Sequence, residues 1–119
     1  ALPISDVLSS DLHTGSMNAG FKDMANLASK FLVLGMPLAD VIAASTWNPA
    51  KVIQRTELGN LSVGSDADIA VFKLREGDFG YIDASGTALR GKQKLEAELT
   101  LRSGRVVWDL NALSAPLAK

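Results

Sequence analysis

Polar side chains able to do chemistry are concentrated between residues 9 and 18, directly after an apolar stretch that ends at Leu8. Within this cluster Asp11 and His13 are two residues apart. A carboxylate can bind a metal ion or accept a proton, and an imidazole can do either or hydrogen-bond to a substrate. The other members of the cluster that could contact a ligand are Ser10, Thr14, Gly15, Ser16 and Asn18.

The spacing of Asp11 and His13 allows two interpretations. In an extended chain, residues two apart point to the same side, so both groups would face one ligand. Such a pair supplies at most half of a metal site. In the other interpretation, Asp11 caps a turn and His13 is an ordinary surface residue. The residues by themselves leave both interpretations open.

Other kinds of site are disfavoured by the residue types present. The chain has no Cys, a single His and no Gly-x-Ser-x-Gly sequence, which excludes a nucleophilic triad. Gly59 and Gly64 lack the spacing of a phosphate-binding loop. The remaining residues of interest are expected to be structural: Trp47 and Trp108 as core or interface anchors, and Asp66 and Asp68 in a turn that enters a strand.

The composition is that of a folded domain, or a piece of one, rather than of a disordered chain. The 119 residues are 47% apolar and carry a net charge of −1. The balanced charge disfavours nucleic acid as a partner, and no segment has the roughly 18 apolar residues needed to cross a membrane. The absence of Cys favours a reducing compartment, hence the cytoplasm. The chain begins with Ala rather than Met, so its natural start can lie upstream.

Hydrophobic periodicity predicts three helices in the first half of the chain. Apolar residues at helical spacing predict an amphipathic helix over about Phe21–Leu34. A second, short helix is expected to carry Leu38, Val41 and Ile42 on one buried face and to end near Ser45. A third helix, capped by Thr46 or Asn48, is expected to end near Gln54.

Strand patterns dominate the second half, after a boundary near residues 55–58. The apolar run 68–72 predicts a strand covered on both faces. Alternating residues over 94–102 predict a strand with a solvent-facing charged side, and the turn at 103–104 returns it as a hairpin. The segment 76–92 contains four glycines and is expected to be loop with a short edge strand.

Three segments of the chain, taken together in their order and spacing, allow comparison with a known protein family. They are Ser-Asp-Leu-His at 10–13, Ser-Thr-Trp-Asn-Pro-Ala-Lys at 45–51, and the run over 58–72 that begins Leu-Gly-Asn-Leu-Ser-Val-Gly-Ser-Asp. Together they resemble the last third of the amidohydrolase superfamily, the metal-dependent hydrolases related to dihydroorotase, urease and D-aminoacylase. The Thr-Gly-Ser-Met-Asn sequence after His13 is most similar to deacetylases and dihydroorotase-like proteins.

The resemblance implies an α/β fragment with two parts. Residues 1–56 would be the last strand and closing helices of a distorted (β/α)8 barrel whose eighth strand ends at Asp11. Residues 57–119 would form most of a small composite β domain. A barrel of this type needs about 200 residues or more. We therefore expect a carboxyl-terminal part of a longer enzyme, or a separate polypeptide, that has the rest of the barrel as its partner.

By position, the resemblance implies that Asp11 is both a metal ligand and the catalytic residue that moves a proton between the attacking water and the leaving group. The expected metal is a divalent ion, zinc, which lowers the pKa of bound water from 15.7 toward about 7. Ligands corresponding to the family's other histidines are absent, because the chain has a single His. The residues expected to lie near a small-molecule substrate are Ser10, His13, Thr14, Gly15, Ser16 and Asn18.

The function implied is hydrolysis of a non-peptide C–N bond in an amide, cyclic amide or N-acyl group by metal-activated water. The alternative is a non-catalytic scaffold or oligomerisation module that keeps the barrel end and the β domain. Alone, the chain is expected to be inactive. Its exposed strand edge would favour association into homo-oligomers.

Overall fold

The computed structural model describes residues 7–9, 23–83 and 85–118. In chain order, these residues form three helices followed by three strands. The helices are α1 (Met24–Val33), α2 (Leu38–Ser45) and α3 (Trp47–Val52), and the strands are β1 (Ile69–Ile82), β2 (Ala88–Arg102) and β3 (Arg105–Asp109). This order of helices before strands confirms the sequence prediction.

Helix α1 begins and ends where local chemistry dictates. A side-chain oxygen of Asp23 accepts a hydrogen bond from the Asn26 backbone N–H at 2.7 Å, which satisfies one of the helix's free donors. After Val33 the chain reaches Gly35, whose φ of +97° is a left-handed value that glycine adopts readily. The prediction of a helix here is confirmed. Residues 21 and 22, which it included, lie outside the described residues.

Helices α2 and α3 follow with only Thr46 between them. Helix α2 ends at Ser45 as predicted, whereas α3 ends at Val52, before Gln54, whose φ is +57°. The Thr46 side chain does not cap α3. Its hydroxyl donates instead to the Ile42 carbonyl at 2.7 Å, so it completes the end of α2. Among the described residues, no helix is long and apolar enough to span a bilayer.

The three strands form one antiparallel sheet in the order β1-β2-β3. The prediction of a loop with a short edge strand over 76–92 is right about the edge strand but wrong about the loop, because pairing continues from Phe79 opposite Gly91 to Ile82 opposite Ala88. A register shift after Glu76 absorbs one extra residue of β1 as a β-bulge. Cross-strand hydrogen bonding along a long hairpin thus outweighs the weak local strand preference of the glycines.

Burial along the sheet also differs from the sequence prediction. The strand at 68–72 was expected to be covered on both faces, yet Val71 is 41% and Phe72 37% exposed. The reason is that α1 packs against β2, the central strand. On β2 the charged side is not wholly solvent-facing, because Glu98 is buried and accepts hydrogen bonds from the Asn111 amide at 2.9 and 3.0 Å.

The core lies where the helices meet β2. Its buried members come from the segment before the polar cluster, from α1, α2 and β2: Leu8, Ala28, Val41, Ala44 and Leu95. Partly buried side chains packed against it are Phe31, Leu32 and Met36. Several large apolar side chains outside it remain exposed, among them Val52, Ile53, Leu61, Val63 and Leu117.

Candidate functional site

The predicted site residues all lie outside the described residues. They are Ser10, Asp11, His13, Thr14, Gly15, Ser16 and Asn18. The structure describes the three residues that lead into this cluster, 7–9, and the elements on which they rest. The structure therefore describes the segment that leads into the predicted site.

Leu8 is held by both its backbone and its side chain. Its N–H donates to the Ala44 carbonyl at 2.9 Å, near the end of α2. Its side chain is only 7% exposed and belongs to the core formed with α1, α2 and β2. Burial of a leucine side chain contributes about 1.5–3 kcal/mol. The chain is thus fixed three residues before Asp11.

Ser29 joins α1 to the sheet at the same core. Its side chain is fully buried, donates to the Ala25 carbonyl at 2.6 Å and accepts from the Leu95 N–H at 2.9 Å. β3 pairs with β2 only from Leu99 onward. The Leu95 N–H therefore finds its hydrogen-bond acceptor on a helix side chain rather than on a third strand. Sequence reasoning missed Ser29, which looked like an ordinary polar residue of the helix.

Two of the segments that carry the family resemblance are in direct contact. Gly59 has a φ of +71°, and a Cβ placed there would lie 2.4 Å from the Thr46 carbonyl oxygen and 3.0 Å from the Ala50 Cβ. Only glycine allows the loop after α3 to approach the helix junction this closely. Sequence reasoning considered Gly59 for a phosphate-binding loop, which its spacing disfavours, and as part of the segment 58–72, and it missed this contact.

Asn60 organises the loop that follows. Its amide nitrogen donates to the Thr56 and Leu58 carbonyls, both at 3.0 Å. Its carbonyl oxygen accepts from the Ser62 N–H and the Ser65 hydroxyl, both at 3.1 Å. One side chain therefore links both sides of the turn, as asparagine side chains commonly do.

Asp66 and Asp68 have the structural role predicted for them. The Asp68 N–H donates to the Asp66 carbonyl at 2.9 Å, which forms the turn into β1. The Asp68 carboxylate accepts from the Ser103 N–H at 2.8 Å, which ties the start of β1 to the turn between β2 and β3. Ser103 and Gly104 both have positive φ in that turn, as in the common two-residue hairpins.

Neither tryptophan is a core residue, so that part of the prediction is wrong. Trp47 and Trp108 are both exposed. The indole N–H of Trp108 donates to the Ala97 carbonyl at 3.2 Å, and the Lys51 ammonium lies 5.8 Å from the centre of the Trp47 ring. Their alternative role as interface anchors stays a prediction.

The carboxyl groups with perturbed pKa values stabilise turns. A hydrogen bond from the Ser85 hydroxyl, with backbone donors, lowers the pKa of Asp83, and one from the Ser114 hydroxyl lowers that of Asp109. A side-chain hydrogen bond from Arg55 lowers the pKa of Glu57. A lowered pKa weakens a carboxylate as a general base. These groups are therefore unsuited to proton transfer near neutral pH.

No three metal-binding side chains come together in the part of the chain that the structure describes. A zinc site uses three or four such ligands. The described residues therefore do not fit a metal centre by themselves. The metal ligand predicted from the sequence, Asp11, lies outside the described ranges.

A surface pocket of about 410 Å³ lies between the start of α1 and the sheet. Its lining includes Asp23, Asn26, Lys94, Glu96, Thr100 and Trp108. Sequence reasoning could not find it, because it forms only where α1 packs against the sheet. The Asp23 carboxylate in its lining already accepts the hydrogen bond that caps α1. We therefore interpret the pocket as a gap between helix and sheet rather than as a binding site.

Comparison with known proteins places the chain in a family. The amidohydrolase family model matches residues 4–107, which include the polar cluster, all three helices and most of the sheet. The chain belongs to the amidohydrolase family. This membership confirms the resemblance inferred from the three sequence segments.

The proteins similar to this amidohydrolase segment include a deacetylase, a dihydroorotase and an adenine deaminase. It is 43% identical over 89 residues to a deacetylase from Brucella anthropi, and the match covers 75% of this chain and 22% of that protein. A solved dihydroorotase shares 35% identity with a TM-score of 0.77, covering 87% of this chain and 29% of that one. A solved adenine deaminase shares 25% identity with a TM-score of 0.79, covering 87% and 28%. The chain spans less than a third of each relative.

Proposed function

We propose that this chain is the barrel end and part of the β domain of a longer metal-dependent amidohydrolase. The reaction proposed is hydrolysis of a non-peptide C–N bond in an amide, a cyclic amide or an N-acyl group. The observation that carries the proposal is the family match over residues 4–107. The 43% identity to a deacetylase and the 35% identity to a dihydroorotase favour an acyl or cyclic amide carbon as the point of attack.

In this proposal, residues 1–56 are the last strand and closing helices of the barrel, and residues 57–119 belong to the composite β domain. Contacts that cross the proposed boundary include Gly59 against Thr46, and the Ser29 hydroxyl against the Leu95 N–H. Both join buried or sterically tight positions. The two parts would therefore behave as one packed unit at this end of the enzyme.

Asp11 is the proposed catalytic residue and metal ligand. A divalent ion, zinc in this proposal, would lower the pKa of a water molecule bound to it. The Asp11 carboxylate would accept a proton from the attacking water and deliver it to the leaving nitrogen, so that the C–N bond breaks to a neutral amine. The other ligands would come from the rest of the barrel, since the described residues bring no metal-binding cluster together.

The polar residues around Asp11 would contact the small-molecule substrate. Hydroxyl and amide groups on one loop can hydrogen-bond to the carbonyl and to polar groups beside the scissile bond. The proposed substrate-binding residues are Ser10, His13, Thr14, Gly15, Ser16 and Asn18.

Replacement of Asp11 tests the proposal. In the complete enzyme that carries this segment, Asp11→Asn keeps the side-chain shape but removes the proton acceptor. Turnover of an N-acyl amino acid or of dihydroorotate is expected to fall by about 10³-fold or more, with folding intact. Asp40→Asn on the exposed side of α2 is the matched control, and its turnover should be unchanged.

The scaffold alternative makes the opposite prediction for the same pair of variants. If the segment only supports folding or assembly, Asp11→Asn and Asp40→Asn should both retain the parent's turnover. Circular dichroism and thermal unfolding on each variant separate loss of chemistry from loss of fold. An active, folded Asp11→Asn enzyme would rule out the proposed role of this carboxylate.

A further inference from the structure

One face of the β1–β2 hairpin is rich in positive charge. Helix α1 covers the opposite face, where Leu95 is buried and Val33 lies against Gly91. Because successive residues of a strand point to opposite faces, the neighbours of Leu95 and of its partner Leu74 face away from α1. The cations on this side, which we call the outer face, are Lys73, Arg75, Arg90, Lys92 and Lys94.

The carboxylates nearby neutralise only part of this charge. Arg75 forms a salt bridge with Glu96 at 3.1 Å, and Lys92 forms one with Asp78. The two carboxylates leave the outer face with an excess of three positive charges. The cations that take part in no salt bridge within the described ranges are Lys73, Arg90 and Lys94.

Two of the cations lie directly opposite each other. Arg75 faces Lys94 in the β1–β2 register, and like charges at opposed positions destabilise a sheet. The ring of Phe79 offsets part of this repulsion, because the Arg75 guanidinium carbon lies 5.7 Å and the Lys94 ammonium nitrogen 5.8 Å from its centre. An arrangement that conflicts with local stability is typical of a functional surface.

The spacing of the cations fits an extended chain. Residues two apart on one strand are about 6.6–6.8 Å from each other. Arg90, Lys92 and Lys94 therefore form a row along β2, and Lys73 and Arg75 form a shorter row beside it on β1. An extended peptide has the same repeat, so carboxylates at its alternate positions would each meet a cation.

The small extent of the positive charge favours a short partner over a long polyanion. The whole chain carries a net charge of −1, so its residues outside the outer face are net negative. Exposed charges are largely screened beyond roughly 8–10 Å at physiological salt. A short acidic segment would interact mainly with the outer face, whereas nucleic acid or an anionic membrane would also meet the acidic remainder of the chain.

We propose that the outer face of the β1–β2 hairpin binds an extended acidic segment of a partner protein, with carboxylates at alternate positions. The exposed cations Lys73 and Arg90 would contribute ion pairs at the two ends of the surface. This role is independent of the proposed hydrolysis, because it uses neither the polar cluster nor a metal ion.

The experiment uses the complete enzyme that carries this segment and an eight-residue peptide, blocked at both ends, that alternates Glu and Thr. Titration calorimetry should show binding at about 20 mM NaCl that is at least about threefold weaker at about 150 mM NaCl, because salt screens exposed charges. A second peptide has the same composition with its Glu residues in one block. It should bind at least about threefold more weakly, since only alternate residues of an extended chain share a face.

Two double variants locate the binding surface. Lys73→Gln with Arg90→Gln should weaken binding of the alternating peptide by about fivefold to tenfold, since it removes two ion pairs. Arg102→Gln with Arg105→Gln is the matched control, because it makes the same change in net charge at the exposed turn between β2 and β3. Its affinity should stay within twofold of the parent. Circular dichroism checks each fold, and if the first variant fails to fold, Lys73→Gln is compared with Arg102→Gln.

Selective loss in the Lys73–Arg90 variant, together with preference for the alternating peptide, would support the proposed surface. Absence of peptide binding at the lower salt, equal affinity for the two peptides, or equal losses in the two double variants would overturn it. It would also be overturned if a thymidine oligonucleotide of about 15 nucleotides, or vesicles containing phosphatidylserine, bound at least as tightly as the peptide and lost affinity in the same variant. Turnover is not measured, so these outcomes leave the proposed function to the Asp11→Asn experiment.

Discussion

Gly59 shows how a single residue without a side chain can decide the packing of two segments. Its positive φ and its closeness to the Thr46 carbonyl impose two separate penalties on any replacement. Gly64 is a natural comparison, because its φ is +90° but a Cβ there would meet nothing within 4 Å. The two positions separate backbone strain from steric overlap.

Gly59→Ala is expected to lower the free energy of unfolding by about 2–5 kcal/mol, the sum of left-handed strain and overpacking. Gly64→Ala should cost only the strain, about 1–2 kcal/mol. Denaturant unfolding of both variants measures the difference. Equal losses would mean that the loop moves away from α3 at little cost, contrary to the tight contact with Thr46.

Within the β1–β2 hairpin, the turn is closed by one carboxylate. Asp83 accepts hydrogen bonds from the Ser85 N–H at 2.9 Å, the Ser85 hydroxyl at 2.7 Å and the Thr87 N–H at 2.8 Å. These bonds favour the charged form and hold the pKa of Asp83 below its ordinary value of 3.8. The hairpin should therefore be weakened by acid.

The sign of this effect follows from linkage. Because the folded-state pKa of Asp83 is lowered, its contribution to stability is full above the unfolded value of 3.8 and is lost as the pH falls through the folded value. Asp83→Asn should be less stable than the parent at pH 7, and the gap should narrow below pH 3.8. Denaturant midpoints measured from pH 7 to pH 2 test this. A gap independent of pH would contradict it.

At the scale of the whole molecule, the described residues have a small core and many exposed apolar side chains. The buried hydrophobic set is small, whereas Val52, Leu61, Val63 and Leu117 are each largely in contact with solvent. An exposed apolar surface of this kind favours association. Together with the span of less than a third of each relative, it fits the proposal that other parts of an enzyme cover this surface.

The isolated 119-residue chain is expected to be inactive and to self-associate. It has a single His and no three metal-binding side chains together among its described residues, so added zinc should produce no hydrolysis of N-acyl substrates above background. Size-exclusion chromatography should show dimers or larger species. Zinc-dependent turnover by a monodisperse monomer would overturn both expectations.

The sequence alone determined the features that depend on local pattern. Apolar residues at helical spacing predicted α1 and α2, and the alternation over 94–102 predicted most of β2. Three short segments were enough to identify the amidohydrolase family, because their residue types and order are specific in combination. The polar cluster around Asp11 was found in the same way, and its role stays a prediction.

Only the tertiary structure decided what depends on partners distant in sequence. The hairpin over 76–92 forms because two strands hydrogen-bond along their length, despite glycines that locally predict a loop. Glu98 is buried because Asn111 returns to bond with it, and Ser29 matters because Leu95 lies opposite. A residue's own pattern carries no information about which distant group will satisfy it. Burial and hydrogen bonding each depend on two groups, and groups distant in sequence come together only when the chain folds.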